Sequence, residues 1–118
     1  MKIIPQELFN SLVQQFIKDK KQLEECIIHL DLKHLNFDEI ISLCEKHKMY
    51  KAYIYAFNSV HGKYIEPLNK LIELLNEDQV SLIVIEYLEK CFQDKMEDVK
   101  KEMIQFLFFR GITWKLYL

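Results

Sequence analysis

Two consecutive amphipathic helices are predicted by residues 36–62, which read NFDEIISLCEKHKMYKAYIYAFNSVHG. Asn36 precedes the helical pattern and Glu39 follows three residues later, which is the sequence signature of a capping box. The stretch ends at Gly62, and glycine takes the left-handed conformation at a helix C-terminus most easily. Between these ends, apolar residues recur every three or four positions, a spacing that favours helix over strand. We expect the seam between the two helices to contain Leu43, Cys44, Ile54 and Phe57.

The same spacing continues along the rest of the chain and predicts five more helices. Pro5 and Pro67 lie near the starts of the first and the fifth helix, where a missing N–H has no intrahelical partner to lose. The second apolar stripe runs from Leu23 to Leu30. Seven helices in 118 residues leave only short links, and short links make neighbouring helices antiparallel. The sequence therefore predicts an all-α fold, an α-solenoid of antiparallel helical hairpins, as one segment over residues 1–118.

Composition excludes several classes of protein. Two glycines and two prolines are too few for the turns of a small β-barrel or for a glycine-rich phosphate loop. Sixteen Lys and Arg against eighteen Asp and Glu give a net charge of −2, without the basic surplus of a nucleic-acid-binding protein. The apolar run at residues 82–85 is far shorter than a membrane span, and we expect no signal peptide because the first residues form only a short apolar run. We expect a cytoplasmic helical module.

Cysteine and histidine form the one pattern with metal-ligand spacing, Cys26-x-x-His29 followed by Cys44-x-x-His47. Zinc prefers four such ligands in a tetrahedron. Both pairs, however, fall inside predicted helices, without the glycine-containing turn that usually holds one pair. We therefore expect free thiols at these positions and at Cys91, in a reducing compartment, with no metal, no cofactor and no catalytic residue. A Cys/His metal-binding or hydrolytic protein stays open as an alternative.

An aromatic cluster lies in and just after the fourth predicted helix. Its members are Tyr50, Tyr53, Tyr55, Phe57 and Tyr64. A base-stacking platform needs interleaved cationic side chains, and Arg110 is the only arginine in the chain. We expect the aromatic rings to fill the seams between hairpins instead. Truncation of Phe57 to alanine is expected to cost about 3–5 kcal/mol, the range for a buried phenylalanine.

The C-terminal residues 106–118 are unusually apolar. They contain three phenylalanines, one tryptophan and one tyrosine, against only Arg110 and Lys115 as charged residues. Large contiguous apolar patches on soluble monomers usually mark an interface. Either this segment packs into the core, or the chain is a fragment of a longer one and associates through this end. We expect the second.

Five segments of the sequence resemble the central helical region of the vacuolar protein sorting-associated protein 8 family. The segments are Cys26–Asp31, Leu35–Asp38, Leu43–His47, Ala52–Asn58 and Tyr64–Leu68. Their order and spacing match over roughly residues 20–75, about half of the chain. Residues 76–118 carry only a generic helical pattern. The resemblance is therefore specific to the first half.

The resemblance implies a place in a large assembly. Members of the family are subunits of the endosomal tethering complex CORVET, with an N-terminal β-propeller, a long α-solenoid akin to clathrin heavy-chain repeats and a C-terminal RING-type zinc domain. This sequence has no Cys-x-x-Cys pair, so it has no RING pattern. What the resemblance implies is a solenoid segment of a longer chain, a non-enzymatic scaffold in vesicle-mediated protein transport.

Partners and location follow from the same resemblance. It implies other tethering-complex subunits as partners, and a Rab-family GTPase through the longer protein. It implies a position on the cytosolic face of endosomes or of the vacuole or lysosome, with membrane contact only through the complex. No nucleic acid is expected as a partner. The alternative is a stand-alone helical adaptor that binds a partner peptide in a groove.

Overall fold

The computed structural model describes residues 3–77, 79–94 and 97–110, and the regular structure of these ranges is helical. Their seven α-helices are α1 Gln6–Phe16, α2 Lys20–Ile27, α3 Phe37–Lys46, α4 Tyr50–Ala56, α5 Ile65–Glu73, α6 Val80–Asp94 and α7 Glu97–Arg110. A π-helical segment, Phe57–His61, directly continues α4. The all-α fold of helical hairpins predicted from the periodicity is therefore confirmed. The chain divides into two compact units, Met1–Lys63 and Tyr64–Leu118.

The first unit packs α1 against α2, α2 against α4 and α3 against α4. Its core collects the apolar stripes of these four helices together with residues of the loop after α2. The buried residues of this core are Phe9, Leu23, Ile27, Leu30, Leu32, Leu35, Ile40, Cys44, Met49, Ala52, Tyr53 and Ala56. The two alanines lie on the face of α4 that its neighbours cover, where small side chains allow a close approach of helices.

The start of α3 combines a local cap with a tertiary one. Asn36 Oδ1 accepts the backbone N–H of Glu39 at 3.2 Å, which is the first half of the predicted capping box. In the other half, the backbone N–H of Asn36 donates to Gln6 Oε1 at 2.8 Å, and not to Glu39 three residues later. The reciprocal bond of the capping box therefore comes from the first turn of α1, thirty residues earlier in the chain.

The turn between α3 and α4 forms without glycine. Lys48 takes a left-handed conformation with φ 57°, which a residue with a Cβ adopts at a cost. The Met49 N–H donates to the Cys44 carbonyl at 2.9 Å and the Lys48 N–H to the Glu45 carbonyl at 3.4 Å, the pattern of a Schellman motif. Met49 is buried, and its burial offsets the cost of the left-handed conformation at Lys48.

The loop from α2 to α3 belongs to the core. Helix α2 ends at Ile27, three residues earlier than the predicted stripe, and Leu30 follows in a turn. Leu32 and Leu35 are also buried, although no helical pattern predicts them. A buried loop must satisfy its backbone polar groups. The Tyr55 hydroxyl on α4 donates to the Leu30 carbonyl, so a side chain from a distant helix meets this requirement.

The predicted seam between α3 and α4 is correct for two of its four residues. Cys44 and Ile54 are buried, whereas Leu43 and Phe57 are only partly buried and pack against the edge of the core. Phe57 is the residue at which the α-helix gives way to the π-helical segment. The prediction that Phe57 is a core residue is therefore wrong, because its side chain is only partly buried and packs against the core from outside.

The second unit packs α5, α6 and α7 against one another. Its buried residues include Pro67, Leu68, Leu71, Ile72, Val80, Val84, Tyr87, Leu88, Cys91, Met103 and Leu107. Pro67 lies in the first turn of α5, as predicted. The Tyr87 hydroxyl on α6 donates to the Tyr64 carbonyl at 2.9 Å, which ties α6 to the residue before α5.

Candidate functional site

The four residues with zinc-ligand spacing lie at the ends and inner faces of α2 and α3. Cys26 is partly buried near the end of α2, and Cys44 is fully buried in α3. His29 is exposed after α2, with its Nε2 3.4 Å from Glu25 Oε1, and His47 ends α3 as its C-cap. Within residues 3–77, 79–94 and 97–110, no three Cys, His, Asp or Glu side chains form a group able to hold a metal ion. That the protein binds no zinc stays a prediction.

The buried thiol of Cys44 has an environment that suppresses its chemistry. Burial, and then the negative charges of Glu24 and Glu45, raise the pKa of Cys44 from 9.0 to about 12. The thiol therefore stays protonated at neutral pH, and a protonated thiol is a poor nucleophile and a poor metal ligand. Cys44 is best explained as a small core residue between α3 and α4.

The aromatic side chains of α4 face protein. Tyr50 and Tyr53 are buried, and the Tyr53 and Phe57 rings lie 5.0 Å apart. Phe57 meets the ring of Phe37 edge-on at 5.1 Å, and Phe37 also contacts His61 at 4.4 Å. Tertiary contacts of this kind leave little ring surface for bases to stack on. Sequence reasoning missed Phe37 and His61 as members of the aromatic cluster.

The start of α4 is capped by a carboxylate from a distant part of the first unit. The side chain of its N-cap residue, Met49, makes no capping hydrogen bond. Instead, Glu24 Oε2 on α2 accepts the backbone N–H of Ala52 at 3.0 Å. A carboxylate in this position also interacts favourably with the helix dipole. Glu24 thereby holds α2 and the start of α4 in one arrangement.

Replacement of Glu24 by alanine is expected to lower the free energy of unfolding by about 1.5–3 kcal/mol, because it removes a charge-assisted hydrogen bond and leaves a partly buried N–H unpaired. Urea denaturation followed by circular dichroism measures the loss. Glu25→Ala is the matched control: this neighbouring carboxylate is exposed and pairs with exposed His29, so we expect less than about 0.5 kcal/mol. Equal losses for the two variants would contradict the assignment of Glu24 as a cap.

Exposed apolar side chains are the remaining features that suit a functional surface. In the first unit, Ile3 and Leu8 are more than half exposed. In the second unit, Ile104 is 57% and Phe108 78% exposed; they lie four residues apart and therefore on one face of α7. We call these two residues the α7 apolar pair. Of the apolar run predicted to associate, residues 111–118 lie outside the described residues.

The outer face of α3 forms a shallow, open depression. Its lining residues are Asn36, Asp38, Glu39, Ser42, Leu43 and Lys46. Charges of both signs line it, and it has no deep apolar pocket floor of the kind that small-molecule sites use. No helix among the described residues is long and apolar enough to cross a membrane.

The structure consists of short amphipathic helices packed in hairpins, and its cysteine and aromatic side chains serve packing. These features are typical of the class of α-helical repeat segments. The chain belongs to the family described as Vps8 central TPR, whose model matches residues 1–103. This confirms the resemblance seen in the sequence and extends it beyond residues 20–75. The chain is thus related to a segment of vacuolar protein sorting proteins.

Three relatives carry the name of the family. The vacuolar protein sorting-associated protein 8 homologs of Mus musculus and Homo sapiens are each 28% identical over 75 residues, 61% of this chain and 5% of theirs. The Saccharomyces cerevisiae protein of that name is 27% identical over 79 residues, 65% of this chain and 6% of its own. The chain spans about a twentieth of the length of these relatives. No solved structure matches it.

Proposed function

We propose that this chain acts as a segment of a non-enzymatic α-solenoid scaffold in a vesicle-tethering subunit, in vesicle-mediated protein transport to the endosome and vacuole. The observation that supports this most is the family match over residues 1–103. The use of Cys44 and the α4 aromatic residues for packing agrees with it, because a scaffold needs rigid helices and no reactive group. The proposal includes no catalytic residue, no metal and no cofactor.

The proposed partners are the other subunits of the tethering complex. A Rab-family GTPase is reached through the longer protein, and membrane contact occurs only through the complex, on the cytosolic face of endosomes or of the vacuole or lysosome. A scaffold segment of this kind keeps neighbouring parts of a large subunit at a set distance. Its stability, and not a reactive side chain, is then what function requires.

A chimera tests the proposal. In a yeast strain lacking its own vacuolar protein sorting-associated protein 8, we would express that protein with its matching segment replaced by the aligned residues of this chain. We expect delivery of a vacuolar hydrolase to be restored. A chimera with an unrelated helical segment of equal length is the matched control and should fail. A chimera that is expressed at the normal level but does not restore delivery would overturn the proposal.

The α7 apolar pair indicates how this chain contacts its neighbour in the solenoid. We propose that residues 1–118 are one solenoid segment of a longer protein, and that the next helical hairpin covers Ile104 and Phe108. Phe108 is 78% exposed, and exposed apolar surface of this kind favours association. The large excess length of the relatives supplies room for such a hairpin.

The isolated chain is therefore expected to self-associate, because the α7 apolar pair finds a substitute partner in a second copy. Light scattering over a concentration series measures this. Ile104→Gln with Phe108→Gln, or truncation from Phe108 onward, should lower the apparent mass toward that of a monomer. Leu8→Gln, at an exposed apolar position of the first unit, is the control and should change it less. A monomeric full chain combined with an unfolded truncation would show that this segment belongs to its own core.

A further inference from the structure

The element that begins as α4 does not end as an α-helix. Over Phe57–His61 it becomes π-helical, with backbone bonds that reach five residues back and so contain one residue more per turn. The end of the segment keeps this wider spacing. The Lys63 N–H donates to the Phe57 carbonyl at 3.2 Å, six residues back, whereas the corresponding bond of an α-helical Schellman motif spans five.

Ser59 is in the middle of this segment and has an unsatisfied hydroxyl. Its Oγ is buried and has no hydrogen-bond partner in the described part of the chain. A serine in an α-helix often bonds the carbonyl four residues earlier. The neighbouring Asn58 does use that option, since its Nδ2 donates to the Ile54 carbonyl at 2.8 Å. A buried unpaired hydroxyl is destabilising, so Ser59 is poorly placed in the π register.

Contacts with α3 hold the two ends of the segment. Phe57 and His61 both touch the ring of Phe37, the first residue of α3, with centroids 5.1 Å and 4.4 Å away. In an α-helix, residues four apart are separated by about 6 Å along the axis. A π-helix rises less per residue, so both rings reach one phenylalanine more closely. These tertiary contacts stabilise the π register against the unpaired Ser59.

We propose that Phe57–His61 is a register joint, which here means a helical segment that can change between π and α hydrogen bonding. In this proposal Ser59 is the one residue inserted into an α-helical element, and the segment opens locally before the rest of the α3–α4 hairpin. When the Phe37 contacts break, the segment relaxes toward the α register. Gly62, with φ 62°, then no longer ends the helix at the same point. The joint is therefore a conformational device that changes where the chain leaves the first unit's last helix.

Deletion of Ser59 in the full chain tests the proposal, with hydrogen exchange and melting temperature as readouts. In the unmodified chain, we expect amides of residues 57–63 to exchange about tenfold faster than those of residues 50–56. Deletion of Ser59 should slow residues 57–63 toward the rate of 50–56 and leave the melting temperature equal or higher. Deletion of Ser42, an exposed serine of the regular helix α3, is the matched control and should lower the melting temperature by more than about 10 °C.

A substitution separates the hydroxyl from the inserted residue. Ser59→Ala keeps the chain length and removes the unpaired oxygen, so we expect the melting temperature to rise by about 4 °C. Ser42→Ala, at an exposed helical position, should raise it less. The proposal is overturned if deletion of Ser59 destabilises the chain as much as deletion of Ser42. It is also overturned if that deletion leaves the exchange of residues 57–63 unchanged, or if Ser59→Ala lowers the melting temperature.

Discussion

Replacement of Ile40 by alanine is expected to lower the free energy of unfolding by about 2–5 kcal/mol, the range for a fully buried isoleucine that leaves a cavity. Ile40 lies on the inner face of α3 and has no exposed surface. Phe57→Ala is expected to cost less, about 1–2 kcal/mol, because Phe57 is only partly buried at the edge of the core. Urea denaturation of both variants gives the comparison.

The loss expected at Phe57 is smaller than the one that the sequence alone predicts, about 3–5 kcal/mol for a buried phenylalanine. Ile104→Ala, at a position that is 57% exposed, serves as the control and should change stability by less than about 0.5 kcal/mol. A loss at Phe57 as large as the loss at Ile40 would show that the helix phase at residue 57 is wrong.

Stability is expected to fall steeply above pH 9. The pKa of Cys44 is about 12 in the folded chain and near 9.0 when exposed, so the unfolded chain loses this proton first. Each pH unit between these values then favours unfolding by about 1.4 kcal/mol. The stabilising effect of the protonated thiol is thus complete below pH 9 and disappears as the pH approaches 12. By pH 11 the expected loss from Cys44 is about 2–3 kcal/mol.

The buried phenol of Tyr87 also lowers the stability of the folded chain as the pH rises. Burial, followed by the charge and hydrogen bond of Cys91 and the charge of Tyr64, raises the pKa of the Tyr87 phenol above its ordinary 10.0. Urea denaturation at several pH values from 8 to 11 measures the combined slope. Cys44→Ser removes the titrating thiol at nearly constant volume and should flatten the slope, whatever its effect at neutral pH. An unchanged slope in Cys44→Ser would contradict the role of Cys44.

The surface chemistry of the chain is less predictable than its core. Spacing in the sequence indicates Cys26, His29, Cys44 and His47 as candidate metal ligands. Helical periodicity correctly places Cys44 in the core. The ring contacts of Phe37 with Phe57 and His61 bridge two elements and have no local pattern. Helix propensity gives no local signal for the π-helical segment, since Asn58 and Ser59 are about as poor helix formers as the tyrosines of α4.

Local chemistry determined the all-α fold, the start of α3 and the end of the π-helical segment. Asn36 caps α3 through a residue three positions away, and Gly62 takes its left-handed conformation because it has no Cβ to clash. Such features depend on neighbours within one helical turn. A single sequence therefore contains all the information needed to predict them.

Tertiary structure alone decided the bonds that join distant elements. Gln6 completes the cap of Asn36, Glu24 caps α4 through Ala52, and Tyr55 satisfies the carbonyl of the Leu30 loop. These bonds span 25 to 30 residues, so they exist only once the hairpins have packed. A polar side chain on a helix has many possible partners in sequence. Packing brings one of them within 3 Å, and burial makes the loss of that partner costly.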